Sequence, residues 1–211
     1  MRREPVEKTE DATNGDAIDA EAILPVPAGD PALHLPREAL IATLRAHRPP
    51  RDVGRVVLLV ARAVDHARST PARVLLQPNT PLPGDRWDPA NKYGTANQLS
   101  VMDAGVARAV CNGQDLTLPG DNLLLDLDLS EANLPVGSVL QVGAAACEVT
   151  EKAHTGCKLY TQRFGIDAMR LTADEQWKAS RLRGLFLRVL RPGEVAVGDE
   201  VRVVARGPRE T

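Results

Sequence analysis

Between Cys147 and Gly165 the chain reads C-E-V-T-E-K-A-H-T-G-C-K-L-Y-T-Q-R-F-G, and His154, Thr155, Gly156, Cys157, Lys158 and Arg163 crowd one short polar segment of it. A thiol, an imidazole and cations at this spacing could present a nucleophile or a soft metal ligand. Cationic neighbours favour the thiolate, which is the form that attacks or coordinates. The same residues also describe an ordinary turn around a buried cysteine, because free cysteine is among the most buried residue types. For Cys157 the residues alone leave both readings open. Cys147 follows three alanines in an apolar run, Cys111 ends a short helical pattern, and both read as core packing.

His154-x-x-Cys157 is half of a zinc spacing, and a tetrahedral site needs two more ligands. His34, His47 and His66 are scattered through the N-terminal third and supply none at a matching interval. An acyl-transfer site would join Cys157 and His154 to Asp85, Asp121 or Asp199, which sequence spacing does not bring together. Gly84-Asp85-Arg86 and Gly120-Asp121-Asn122 are either plain turns or loops offering amides and an arginine to an anion. No phosphate-binding P-loop or G-x-G-x-x-G occurs.

The elements that must hold these residues follow from pattern. The 211 residues are 43% hydrophobic but only 3% aromatic, so the core is expected to be aliphatic. A formal net charge of −2 argues against general nucleic-acid affinity. No run approaches a membrane span, Met-Arg-Arg-Glu-Pro lacks a signal-peptide core, and three irregularly spaced cysteines do not make a disulfide framework. The expectation is a cytoplasmic protein that binds neither nucleic acid nor membrane.

Residues 1–30 read as a disordered acidic arm, 31–52 as a short helix (Pro36 to His47) and linker, 53–205 as the folded domain, and 206–211 as a polar tail. Strands are expected over Gly54–Ala63, Arg73–Leu76, Gln98–Val101, a half-buried Leu123–Leu129, Val139–Thr150, Gly184–Leu190 and Val195–Val204. A proline-rich loop separates Gln77 from Asn97. Asp103 is expected to cap a helix ending at Cys111, and Thr172 with Glu175 to form a capping box in a helix over Ala168–Trp177. No regular β-α-β alternation is visible. The fold class is mostly β, a mostly antiparallel, barrel-like domain with a few short helices.

The run G-S-V-L-Q-V-G-A-A-A-C-E-V-T-E-K-A-H-T-G-C-K-L (Gly137 to Leu159) resembles the MOSC domain, the C-terminal module of molybdenum-cofactor sulfurases. Arg183 to Val203 is similar to that family's closing hairpin, Gly120-Asp121-Asn122-Leu123 to its G-E-N, and Gly84-Asp85 to its G-D. The resemblance spans roughly residues 53 to 205 and reads as a stand-alone module. It implies a MOSC-type β-barrel and either sulfur transfer or molybdenum-dependent reduction of N-hydroxylated substrates. The implied cofactor is the molybdenum cofactor, a Mo-pterin. The family also carries an association with pyridoxal phosphate through an aminotransferase-like domain not expected here.

Under this resemblance Cys157 is the metal ligand or persulfide carrier and His154 its catalytic companion. Arg86, Asn122, Thr155, Lys158 and Arg163 would hold the pterin phosphate or a substrate anion. The implied partners are a small-molecule cofactor or substrate and a sulfur-donor or redox protein. Where the family has a proline-arginine pair before the cysteine, this chain has Ala153-His154-Thr155-Gly156, exchanging a fixed cation for a titratable imidazole. The alternative is a small-molecule binding or scaffold module that keeps only the fold.

Overall fold

The computed structural model describes residues 28–208. Residues 1–27 of the expected arm and 209–211 of the expected tail lie outside that range. Seven strands close a barrel: β1 (Val53–Leu59), β11 (Glu200–Ala205), β7 (Val139–Val142), β8 (Ala145–Val149), β9 (Leu185–Arg191), β5 (Leu99–Asp103) and β6 (Leu123–Asp126), in that spatial order, with β6 returning to β1. Closure pairs every barrel strand on both sides and leaves no barrel edge open. The inside is aliphatic, as the scarcity of aromatics requires: Val56, Leu59, Leu99, Val101, Leu123, Leu125, Leu140, Val142, Val149, Leu187 and Val201 are all buried there.

One pair of barrel strands, β5 and β6, is parallel. Helix α2 (Ala104–Cys111) links them, so a single β-α-β unit exists that the sequence pattern did not suggest. Asp103 caps α2 as expected, its Oδ1 accepting from the amides of Gly105 at 2.6 Å and Val106 at 3.0 Å. Outside the barrel, α2 packs with α1 (Arg37–Ala46) and α3 (Lys158–Ala173) into a second apolar cluster containing Leu40, Met102, Leu124, Tyr160 and Phe164. Leu124 therefore points into the helix layer while Leu123 and Leu125 point into the barrel. The half-buried strand expected over Leu123–Leu129 is instead short and buried on both faces, because helices cover the side that was read as wet.

Other expectations also change. The strand expected over Val139–Thr150 is a hairpin, β7 and β8, turning at Gly143-Ala144. The helix expected over Ala168–Trp177 is the end of α3 plus α4 (Glu175–Lys178), and the cap is Asp174, which accepts from the Gln176 amide at 2.9 Å. Thr172 instead donates to the Met169 carbonyl. Helix α3 starts at Lys158 because Tyr160, Phe164, Ala168 and Leu171 recur at helical spacing and bury one face. The closing segment is not a simple hairpin. β10 (Gly193–Ala196) pairs with β4 (Arg73–Leu76), while β11 inserts between β1 and β7. A small hairpin of β2 (Ala61–Arg62) and β3 (Arg68–Ser69) completes the sheets.

Two outcomes test this arrangement. Leu124→Ala should cost about 2–5 kcal/mol, as much as Leu125→Ala, in urea unfolding; a cost near zero would mean that face is wet after all. His47 hydrogen-bonds both oxygens of Asp103, and that bond raises its pKa above 6.5 against the effect of burial. Its stabilisation is full below about pH 6.5 and fades as pH rises through the raised value. His47→Ala should therefore cost more unfolding free energy at pH 6 than at pH 9, by roughly 1 kcal/mol given the ring's partial exposure, as read by urea unfolding at the two pH values.

Candidate functional site

The turn Thr117-Leu118-Pro119-Gly120-Asp121-Asn122 lies buried between the strand layer and α3, and arginines from separate elements converge on it. Three consecutive carbonyls each accept from a different guanidinium. Leu118 O takes Arg163 Nη1 at 2.9 Å, Pro119 O takes Arg183 Nη2 at 3.3 Å, and Gly120 O takes Arg62 Nη1 at 3.1 Å. Arg68 Nη2 comes so close that a Cβ on Gly120 would stand 2.9 Å from it. Arg86, which is exposed, donates to His66 Nδ1, and the carbonyl of that same His66 accepts from Arg68 Nη1.

Two buried carboxylates answer these five arginines. Asp85 receives Arg62 through both oxygens, at 2.8 and 3.0 Å, and also the Asn122 side-chain amide. Burial would raise the Asp85 carboxyl, but the Arg62 hydrogen bond and charge hold it below the usual carboxylate range. Asp121 Oδ2 accepts from Arg183 Nη1 at 2.6 Å. Arg68 and Arg86 hydrogen-bond no carboxylate among the described residues. Arg68 is 3% exposed, and burial, then the charges of Arg163, Arg62 and Arg86, pull its pKa down to about 10. Its Nε is buried with no hydrogen-bond partner among the described residues. Crowded, partly desolvated guanidinium groups with a spare donor are suited to an oxyanion.

His154 adjoins this cluster. Its side chain is 10% exposed, its ring lies 4.3 Å from that of Phe186, and Nδ1 is 3.6 Å from Asp121 Oδ1, too long for a direct hydrogen bond. Burial first, then Arg183, Arg62 and Lys152, holds its pKa well below 6.5. The imidazole is therefore neutral at neutral pH and adds no cation to the cluster. His154 Nδ1, Asp121 Oδ1, Arg183 Nε and Tyr160 OH are all buried without partners among the described residues. His154 and Arg183 also line a cavity of about 350 Å³ between the loop Thr150–Thr155, the α3–α4 joint and the turn Arg181–Leu185.

Cys157 is exposed and sits immediately before the first residue of α3, while His154 is turned inward. Arg163 lies on the same helix, about a turn and a half beyond Cys157. Of the other sequence-derived candidates, Thr155 and Lys158 are exposed beside Cys157, and Arg86 stands at the rim of the arginine cluster. Asn122 is fully buried, and its amide is committed within the protein: Oδ1 accepts from Arg62 and Ser100, and Nδ2 donates to Asp85 and to Val60 O. It holds Arg62 in place rather than offering a free donor. The sequence reading missed Arg62, Arg68 and Arg183. Arg62 stands at the end of the apolar run Val56–Ala63, and an arginine forced into such a run is a cue that could have found it, whereas Arg68 and Arg183 lie in polar segments that carry no such signal.

A family model for the MOSC domain matches residues 106–202. Over that stretch the chain is similar to the MOSC domain. Among solved structures, the fold is similar to a crystal structure described as that of an hypothetical protein (TM-score 0.57, 18% identity, covering 76% of this chain and 72% of that one). It is also similar to the crystal structure of YiiM from Escherichia coli (TM-score 0.51, 19% identity, covering 74% of this chain and 73% of that one). At these identities the likeness is one of fold. No curated protein matches the chain. The matched MOSC stretch includes the Thr117–Asn122 turn, His154, Cys157, Arg163 and Arg183, while Arg62, Arg68 and Arg86 reach the site from outside it.

The three thiols of the chain should separate sharply in chemistry. Burial pushes Cys147 up to about 12, and burial with Asp115 and Asp121 does the same to Cys111. Iodoacetamide at neutral pH should label Cys157 alone in the folded protein, and the other two only in denaturant, as read by mass spectrometry of peptides. Comparable labelling of all three without denaturant would contradict this structure.

Proposed function

We propose that this MOSC domain binds the molybdenum cofactor, with the arginine cluster holding the pterin phosphate and the Cys157 thiolate serving as the protein's metal ligand. The observation that carries the reading is Arg68: buried, lowered to about 10 by burial and neighbouring guanidinium groups, and keeping an Nε without a partner among the described residues beside the Thr117–Asn122 turn. Such a site is relieved by an anion. The donor set suits the cofactor, since guanidinium groups match a phosphate and an exposed thiol is a soft ligand for molybdenum. No group of three or more His, Cys, Asp and Glu able to hold a metal exists among the described residues, so a single cysteine would act with sulfur ligands brought by the cofactor.

Bound there, the cofactor supplies two-electron redox chemistry, and N-hydroxylated compounds are the proposed substrate class. The chain's own contribution is positional and electrostatic. Arg68, Arg86 and Arg163 bind the anion, and Asn122 with Asp85 fixes Arg62 behind them. Thr155 and Lys158 flank the thiol. His154, neutral, lines the adjoining cavity and keeps Nδ1 3.6 Å from Asp121 Oδ1. A redox protein would supply electrons.

Purified protein from a cofactor-competent host should contain molybdenum by elemental analysis and give the fluorescence of oxidised pterin. Arg68→Ala should lower the pterin content roughly tenfold or more, the loss of a charge-assisted contact or two. Wild-type protein free of both metal and pterin would sink the cofactor reading. A second reading, a persulfide carrier charged by a sulfur-donor protein, is favoured by Cys157 being the exposed thiol. It predicts a reducible sulfur adduct on Cys157 that Cys157→Ser abolishes.

A further inference from the structure

Helix α3, which carries Arg163 and is led by Cys157, is not continuous. Gly165 has φ +85° and ψ 168°, so the chain leaves the helical conformation there and resumes it beyond. The segment Ala28–Ala46, which lies outside the matched MOSC stretch, crosses this break and touches both halves. On the N-terminal half, His34 Nε2 donates to the Arg163 carbonyl at 3.1 Å. Gly29 lies so near that a Cβ there would stand 2.3 Å from the same oxygen. On the C-terminal half, the Arg37 amide donates to Asp167 Oδ2 at 3.2 Å and the Arg37 guanidinium pairs with Asp174. The segment is itself anchored just past the C-terminus of α2: Asn112 Nδ2 donates to Leu33 O at 3.0 Å, and the Asp30 amide donates to Gln114 Oε1 at 2.7 Å.

The break and the crossing segment fit one another. The His34 ring fills the space beside Gly165, where a Cβ would meet its Nδ1 at 3.0 Å. A side chain there would have to adopt left-handed backbone as well. A helix interrupted in this way has carbonyls without intrahelical partners near the interruption. His34 donates to the carbonyl of Arg163, whose side chain runs on to the Leu118 carbonyl of the buried turn. A displacement of His34 would thus be passed directly to Arg163 and to the turn of helix that starts beside Cys157.

We infer that His34 is a positioning residue: seated against Gly165, it clamps the Cys157–Phe164 half of α3 and so sets where Arg163 and Cys157 stand. The inference rests on the proposed function only in taking Arg163 and Cys157 as site residues. Its test reads the position of the helix, independently of any cofactor.

The experiment is hydrogen exchange by mass spectrometry on the full chain, with alkylation of Cys157 as a second readout. In His34→Ala, amides over 158–164 should exchange roughly tenfold faster while β7 and β8 keep their protection, since local opening need not follow global unfolding. The Cys157 alkylation rate should change in parallel. His34→Gln retains a side-chain N–H donor and should restore most of the protection. Gly165→Ala should reproduce the His34→Ala pattern by pushing the ring away. Unchanged exchange over 158–164 in both His34→Ala and Gly165→Ala would overturn the inference, as would equal acceleration across the whole barrel. Protein that binds no pterin but shows the local exchange pattern would sink the cofactor reading and leave the clamp standing.

Discussion

The rest of the site depends on a run of three backbone carbonyls, those of Leu118, Pro119 and Gly120, each occupied by a different arginine. A buried turn has carbonyls that must be satisfied, and a buried guanidinium has donors that must be satisfied, so each meets the other's requirement. The consequence is geometric. Arg62 comes from β2, Arg163 from α3 and Arg183 from the approach to β9, and the turn fixes all three relative to one another. Removing Arg62 or Arg183 would also strand a buried carboxylate, Asp85 or Asp121, which is costlier than the pair is worth. The arrangement therefore behaves as a unit.

The barrel is what allows that unit to exist. Closing seven strands removes the barrel edges and leaves the connections between strands as the place where polar groups can gather. The parallel β5–α2–β6 connection delivers the Thr117–Asn122 turn, and the β2–β3 hairpin and the Gly84–Trp87 loop deliver Arg62, Arg68 and Arg86. Asn122 and Asp85 tie these together from within. Asn122 donates to Asp85, both hold Arg62, and the Ser100 hydroxyl and amide donate to Asn122 Oδ1. The outer helix layer, packed on Met102 and Leu124, then presses α3 against the open side.

Electrostatically the site is a set of fixed cations around a neutral imidazole. Burial among Arg183, Arg62 and Lys152 keeps His154 uncharged. Positive charge comes instead from arginines, which hold their charge throughout the physiological range. A neutral His154 thus does not leave the site short of positive charge, because Arg68 and Arg86 supply it from another part of the chain.

Much of the architecture was legible in local pattern: the aliphatic strands, the Asp103 cap, the mostly antiparallel barrel and the MOSC resemblance. These rest on periodicity, turn chemistry and short motifs, which are properties of neighbouring residues. The failures were places where distant residues decide. Leu124 is buried because helices cover it, Val139–Thr150 turns because Ala145–Val149 must pair with both β7 and β9, and β10 leaves β11 to pair with β4. The segment from Cys147 to Gly165 divided along the same line. Its sequence determined that a thiol and cations stand close together along the chain. Only the tertiary structure decided that Cys157 faces solvent while His154 turns inward to Asp121 and Phe186. It also brought in Arg62, Arg68 and Arg183 as neighbours, since charges far apart in sequence meet only when a closed sheet brings its connections to one place.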